Sequence, residues 1–308
     1  MLRRSLASLI AQTHRDWVAE VRNDAPDDPE PAALVGDLGD PRITCVTHAR
    51  NLGAVATFNL CYTSGPEPYM ALLEDDNAWE PDFLSRLLSE LERHPEATLA
   101  WCNQSIDEEQ PGGRVLPTGR SVRSDSAHEK PRLHTFGAIS LAFGALHANG
   151  AMLLRRSPAP GYLTPAISFT GVEAYRERLF PGPMLYIPAP LARFTLTLQS
   201  ARPIRDIEWP RLKTAFIATF MRAAGPSRDK DLWAHARNST PSMAGSVIMA
   251  ALADPACRRL LRHVTLSEWL RWLIGALRHP RMAAASLRCR RASWWNELAD
   301  ITAQRLRG

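Results

Sequence analysis

The chain has 308 residues, of which 45% are hydrophobic, and a formal net charge of +5. This composition excludes a disordered or fibrous chain and indicates a globular protein with one large domain and a smaller one. Its five cysteines are scattered without a C-x-x-C pair, which argues against a zinc site and favours reduced thiols in a cytosolic setting.

The apolar runs and the charge distribution give further information on the class of protein. No run reaches the roughly 18 apolar residues of a spanning helix, and no signal-peptide core follows the first arginines, so we expect a soluble or peripheral protein. Residues 201–308 hold 17 Arg and 2 Lys against 8 acidic residues, a net charge of +11, which leaves −6 for residues 1–200. The two regions are therefore expected to have different partners.

Helix and strand patterns alternate along the first hundred residues. Apolar residues at helical spacing predict a first helix over Ser5–Gln12. The elements predicted after it are a strand at 17–21 leading to Asn23 and Asp24, a helix at 30–38, a strand at 42–47, a helix at 54–64, a strand at 69–73, a helix at 81–94 and a strand at 98–102. This alternation predicts an α/β fold with a mostly parallel sheet flanked by helices.

Three consecutive acids follow the predicted strand at 69–73. Ligands of open α/β sheets bind outside the carboxyl ends of strands, where Glu74, Asp75 and Asp76 would lie. Strand alternation would place Glu74 and Asp76 on one side and Asp75 on the other. Hard carboxylate ligands suit Mg²⁺ or Mn²⁺, completed by waters and a substrate diphosphate. The alternative is that Asp75, Asp76 and Asn77 form a turn and cap the next helix.

The flanking motifs favour the metal site. They are SLASLIAQT at 5–13, DW at 16–17 leading to ND at 23–24, RNLG at 50–53, LLEDDN at 72–77, WEPDF at 79–83 and MLLRRS at 152–157. No single motif is specific, but this series in this order resembles a family-2 glycosyltransferase with the GT-A nucleotide-sugar-binding fold. The resemblance runs from Leu2 to about Ser200.

The resemblance implies roles for the acids. Asp24 matches the acid that contacts the nucleotide base, usually uracil. Glu74-Asp75-Asp76 matches the D-x-D motif, in which the last Asp binds the metal and the earlier positions hold the ribose and diphosphate. A divalent cation would neutralise the negative charge that develops on the leaving diphosphate. Asp24 also fits a turn-forming residue before Pro26.

Further candidate residues come from the same resemblance. Arg50 and Asn51 would lie near the nucleotide, and they equally fit an ordinary turn at the start of a helix. An inverting transfer needs a general base near the acceptor hydroxyl. The family places an acid pair where this chain has Gly171 and Val172, so Glu173, one position later, is the candidate base, with a solvated helix carboxylate as the alternative.

Two departures from the family raise a second hypothesis. The family normally begins with an apolar strand before the first helix, whereas this chain starts inside that helix, and we expect a missing upstream segment. With the Gly171-Val172 pair, this also fits a degenerate, non-catalytic protein that binds a nucleotide or a partner. Residues 103–135 are rich in Gly, Pro and charge and are expected to form a long loop, either shaping the acceptor side or lying on the surface.

The region after about residue 205 is predicted to be helical. A capping box at Thr265–Glu268 precedes an amphipathic helix with many arginines and with Trp294 and Trp295 beyond it. Its apolar stripe is Leu266, Trp269, Leu270, Leu273, Ile274 and Leu277. The helix fits either an anionic membrane surface, where lipid-linked acceptors would be found, or a helical subdomain that packs this stripe on the catalytic domain and leaves the arginines in solvent. Without a nucleic-acid motif, nucleic-acid binding is not expected.

We therefore predict a GT-A domain over residues 1–200 and a basic helical region over 201–308. The expected reaction moves a sugar from a nucleotide-diphosphate donor, a UDP-sugar first, to an unknown acceptor hydroxyl with inversion, using Mn²⁺ or Mg²⁺ at Asp76. The expected location is the cytoplasm, with peripheral contact on the inner membrane face. Cell-surface polysaccharide, glycolipid and glycosylated natural product are the open product classes.

Overall fold

A computed structural model describes residues 1–63, 65–125, 127–156, 163–165, 167, 169–180, 182–198 and 207–307. The chain divides into two compact units. The first unit comprises residues 1–134, 147–163 and 182–201, and the second comprises 135–146, 164–181 and 202–308.

The first unit contains four helices and nine strands among its described residues. The helices are α1 (Leu2–Ile10), α2 (Glu30–Leu38), α3 (Ala54–Thr63) and α4 (Phe83–Arg93). The strands are β1 (Ala19–Asn23), β2 (Ile43–Thr47), β3 (Tyr69–Ala71), β4 (Ala78–Trp79), β5 (Leu99–Glu109), β6 (Val115–Ser121), β7 (Arg132–His134), β8 (Met152–Arg155) and β9 (Met184–Leu196). The four helices and β1, β2, β3 and the start of β5 lie close to where the sequence patterns predicted them, whereas β4 was not predicted and β3 ends two residues earlier than expected.

The strands form two sheets. β1 and β2 pair in parallel, and the larger sheet has the order β3-β8-β5-β9-β4, with β6 added to β5 and β7 to β9. The α/β class is confirmed. The larger sheet is mixed rather than mostly parallel, because only β5 and β9 run parallel in it. A short hairpin joins β5 to β6, whereas the parallel neighbours β5 and β9 are separated by a long crossover.

The segment that was expected to be a long loop, residues 103–135, is largely strand. β5 continues to Glu109, and a tight turn leads into β6, with Gln110 donating to the Arg114 carbonyl at 2.8 Å. Gly112 and Gly113 have φ of 92° and 78°, a conformation that favours glycine. The expectation from composition was wrong because a charged residue can lie in a strand when it is paired: Asp107 is buried and pairs with Arg4 and Arg193.

Helix α4 supplies one side of the core of the first unit. Phe83, Leu87 and Leu91 recur at four-residue spacing on one face and are fully buried. Trp79 of β4 stacks on Phe83 with ring centroids 4.3 Å apart, and its indole Nε1 donates to the Gly150 carbonyl at 2.8 Å. The core therefore joins the chain immediately after the three acids to the segment before β8.

The second unit is helical. Its helices are α5 (Val172–Glu177), α6 (Glu208–Ala224), α7 (Asp229–Asn238), α8 (Ala244–Ala253), α9 (Leu266–Arg278), α10 (Pro280–Leu287) and α11 (Trp295–Arg307). Helix α6 is central: it contacts α8, α10 and α11, and Phe216 and Phe220 are fully buried. Within the described residues every helix is too short or too polar to cross a bilayer.

Candidate functional site

The three acids lie in a turn, not at the end of a strand. β3 ends at Ala71 and β4 begins at Ala78, so Glu74, Asp75 and Asp76 occupy the connection between the two strands. The predicted alternation of their side chains along a strand was therefore wrong. Because such a turn has few backbone hydrogen bonds of its own, side chains from elsewhere in the first unit must hold it.

Polar side chains of α1 and of the residues just after it hold the chain on both sides of the turn. Ser5 and Ser8 lie on α1, and Gln12 follows two residues after the helix ends. The Ser5 hydroxyl donates to the Glu74 carbonyl at 3.1 Å, and the Ser8 hydroxyl accepts from the Trp79 main-chain N–H at 3.1 Å. Further along, the Gln12 amide donates to the Glu80 carbonyl at 2.8 Å and accepts from the Leu84 N–H at 3.0 Å. The SLASLIAQT motif thus acts as a support for the acid turn.

Arg4 fixes the tip of the turn from the same helix. Its guanidinium donates to the main-chain carbonyl of Asp76 at 2.6 Å and to the Asp107 carboxylate at 3.1 Å, and it also binds the Thr195 hydroxyl. Sequence reasoning missed Arg4, since nothing local links it to Asp107 or to Thr195. The signal present was a basic residue directly before the SLASLIAQT motif.

Asn77 joins the acid turn to β9 by a hydrogen bond. It is only 2% exposed, and its side-chain oxygen accepts from the Thr195 main-chain N–H at 2.9 Å. Its amide nitrogen donates to the Glu74 carboxylate. That carboxylate lies so close to Gly150 that a Cβ there would overlap it. Asn77 therefore orients Glu74, and the carboxylate of Glu74 lies in the space that the absent side chain of Gly150 leaves open.

Asp76 carries a carboxylate in an unfavourable environment. Burial raises its pKa, the negative charge of Asp75 raises it further, and Glu109 adds to the effect, while Arg4 offsets only part of it. No salt bridge reaches the Asp76 carboxylate within the described part of the chain. Asp75 is exposed. A divalent cation would relieve the repulsion between these carboxylates.

The donor set fits a metal that takes most of its ligands from outside the protein. In the described residues there is no group of three or more His, Cys, Asp or Glu side chains placed to hold an ion. Mg²⁺ is commonly held by one or two carboxylates, with waters and substrate phosphates as its other ligands. Asp76 with a neighbouring acid meets that requirement, whereas a structural zinc site needs four protein ligands.

Asp24 belongs to a second cluster, after β1. Its carboxylate accepts from the main-chain N–H groups of Leu52 and Gly53 at 2.7 and 2.9 Å and pairs with Nδ1 of His48 at 3.0 Å. Burial acts to raise the pKa of Asp24, but the hydrogen bonds from His48, Leu52 and Gly53 outweigh burial and lower it. Asp24 therefore organises the turn before α3, and its contact with a nucleotide base stays a prediction.

The remaining predicted residues lie in different places. Asn51 donates to the main-chain carbonyl of Asp24 at 2.8 Å, and Arg50 beside it is exposed. Asn51 thus belongs to the Asp24 cluster, and the nucleotide contact of Arg50 stays a prediction. Glu173 lies in the first turn of α5 in the second unit and is partly exposed, and its role as a base stays a prediction.

Comparisons with known proteins were made for sequence and for structure. Residues 1–158 match the model of the family described as glycosyl transferase family 2. A comparison with curated proteins gives no match. The fold is similar to that of TarS 1–349 from S. aureus in complex with UDP and with UDP-GlcNAc, each with a TM-score of 0.57 and 12% identity over 99% of this chain and 87% of that one. At this identity the likeness concerns the fold.

Proposed function

Because this chain belongs to glycosyl transferase family 2, we propose that it transfers a sugar from a nucleoside-diphosphate donor to an acceptor hydroxyl. The observation that carries the proposal is the Glu74–Asp76 turn, which Arg4, Ser5 and Asn77 hold in place. A UDP-sugar is the first donor to test, since UDP and UDP-GlcNAc are the ligands of TarS, the similar structure.

The acid turn is suited to the diphosphate end of such a donor. Asp76 would hold Mn²⁺ or Mg²⁺, which when bound supplies positive charge opposite the leaving diphosphate. The chain contributes a preformed support: Arg4 fixes the Asp76 carbonyl, and Asn77 fixes Glu74. A site that is already held in place avoids reorganisation when the charge develops on the substrate. In the proposed assignment, Glu74 and Asp75 contact the ribose and diphosphate, and Asp24, Arg50 and Asn51 line the base side.

Inversion needs a base on the acceptor side, and we assign that role to Glu173. The base would take the proton of the acceptor hydroxyl while the oxygen of that hydroxyl bonds to the anomeric carbon of the sugar. The bond between the anomeric carbon and the diphosphate oxygen breaks on the opposite face. The support is the resemblance and the position of Glu173 in the first turn of α5, where it is partly exposed.

Replacing this base should separate binding from catalysis. We expect Glu173→Gln to bind UDP within about twofold of the wild type and to release UDP from a UDP-sugar at least about a hundredfold more slowly. Glu92→Gln, at an exposed position on α4, is the matched control and should release UDP at the wild-type rate. Equal rates for all three proteins would remove Glu173 from the mechanism.

The function itself is tested by calorimetric titration of the wild-type chain with UDP, with and without Mn²⁺. We expect binding at least about tenfold tighter with the metal, because the ion joins the diphosphate to a carboxylate that burial and like charge destabilise. Titrations with GDP and dTDP identify the base preference.

Failure to bind UDP, GDP and dTDP would contradict the transferase proposal. Metal-dependent binding without UDP release from any UDP-sugar would instead favour the second hypothesis, a non-catalytic protein that binds a nucleotide. The transferase proposal and the second hypothesis both predict metal-dependent nucleotide binding, and they differ in one measurement, the turnover of the donor.

A further inference from the structure

One face of α9 is apolar and exposed to solvent. Its residues recur at positions i, i+4, i+7, i+8 and i+11, which places them in one stripe about 16 Å long. They are Leu266, Leu270, Leu273, Ile274 and Leu277, with exposed fractions of 77, 52, 47, 48 and 71%. We call this set the α9 stripe. Contiguous exposed apolar surface of this kind marks an interaction site, whereas single exposed leucines do not.

The helix that carries the stripe is firmly held by its other side. Thr265 and Glu268 form a capping box at its start. The Glu268 carboxylate also accepts two hydrogen bonds from Arg237, at 2.8 and 3.1 Å. The α9 helix contacts α8 and α10, and Trp272 faces a cavity of about 530 Å³ on that side. The helix is therefore anchored within the second unit, and its apolar stripe is exposed on the side away from this anchor.

The surroundings of the stripe carry one sign of charge. Residues 269–296 contain six arginines and no acidic residue. Helix α8 has no charged residue, and the only one in α10 is Arg281. Arg278 and Arg281 are exposed, and neither has an acidic partner within the described part of the chain. The binding partner must therefore accept leucines at its centre and offer negative charge around them.

We propose that the α9 stripe docks on the surface of an anionic lipid bilayer. The leucines would enter the boundary between headgroups and acyl chains, and the arginines would bind lipid phosphates. Trp294 and Trp295, which the sequence placed at this surface, do not contribute, because both are buried. The docking goes beyond the proposed sugar transfer and does not depend on it.

The charge pattern favours a bilayer over a second copy of the chain. A twofold contact between two α9 stripes would bring the same arginines of both copies together, which opposes association. A nucleic acid would match the arginines but would leave the leucines facing phosphates and water. A bilayer with anionic headgroups satisfies both parts of the surface at once.

The test is flotation of the full chain with vesicles of phosphatidylcholine alone or with a quarter phosphatidylglycerol. We expect the protein to float with the anionic vesicles only, and less as salt rises from about 0.1 to 0.5 M, since screening weakens the arginine contacts. Leu266→Ser combined with Leu277→Ser should lower the affinity for anionic vesicles at least about tenfold, because the two leucines that would enter the bilayer are replaced by polar side chains. Arg278→Gln with Arg281→Gln should lower it several-fold.

Matched controls use exposed residues of similar chemistry in the first unit. Val18→Ser with Val122→Ser, at 62 and 54% exposure, and Arg114→Gln with Arg120→Gln should float like the wild type. The proposal is overturned if the wild type does not float with anionic vesicles, or if the leucine and arginine variants both float as well as their controls. It is also overturned if the wild type is a dimer in solution that the leucine variant dissociates.

Discussion

Asp76→Asn should weaken Mn²⁺-dependent UDP binding by at least about a hundredfold and leave the weak metal-independent binding unchanged. Replacing groups that only support a metal ligand costs about 10- to 100-fold in affinity, and Asp76 is proposed as the ligand itself. Asparagine keeps the size of the side chain and the main-chain carbonyl that Arg4 binds, so the turn should stay in place. Calorimetry with and without the metal measures the effect.

Asp37→Asn is the matched control, because Asp37 is an exposed aspartate near the end of α2. It should bind UDP and metal like the wild type. If Asp76→Asn retained the full metal effect, the metal would have to be assigned to other acids. If it lost binding with and without metal equally, Asp76 would contact the nucleotide and not an ion.

Asn77→Leu should lower the free energy of unfolding of the protein by about 2–4 kcal/mol. Leucine can neither accept from the buried Thr195 N–H nor donate to Glu74, and each buried polar group that loses its partner costs about 1–3 kcal/mol. With the turn released from β9, metal-dependent UDP binding should also weaken. Urea unfolding and calorimetry measure the two effects separately.

Two further variants make the result specific. Asn77→Asp keeps an acceptor for Thr195 but places a negative charge against Glu74, so it should disturb UDP binding at least as much as Asn77→Leu does. Asn296→Leu, at an exposed position on α11, should change neither quantity. A stability of Asn77→Leu within about 0.5 kcal/mol of the wild type would contradict the role given to Asn77.

Local sequence patterns predicted the helices and most of the strands of the first unit, but they could not predict contacts between residues far apart in the sequence. Apolar periodicity located α1, and the turns between apolar segments indicated α2 to α4, because these signals are present in the local sequence. The partners of Arg4 and Asn77 could not be found in the same way, because both side chains bind Thr195, more than a hundred residues later. The motifs therefore identified the acid turn but not what holds it.

The α9 stripe shows a second limit of the sequence. Its periodicity correctly predicted an amphipathic helix and its capping box. Periodicity identifies the apolar face of a helix, but it does not say whether another part of the chain covers that face. Packing among distant elements decides which apolar residues are covered: it buries Trp294 and Trp295 and leaves Leu266 and Leu277 exposed.

The dependence of the acid turn on β9 has a consequence for the order of assembly. As the chain is synthesised, α1, the turn and β5 all emerge before β9. Until Thr195 has emerged, Arg4 and Asn77 each lack one of their partners, and β5 lacks its parallel neighbour. Residues 1–158, which match the family, therefore emerge before part of the support of the acid turn, and that support is completed only when β9 has been synthesised.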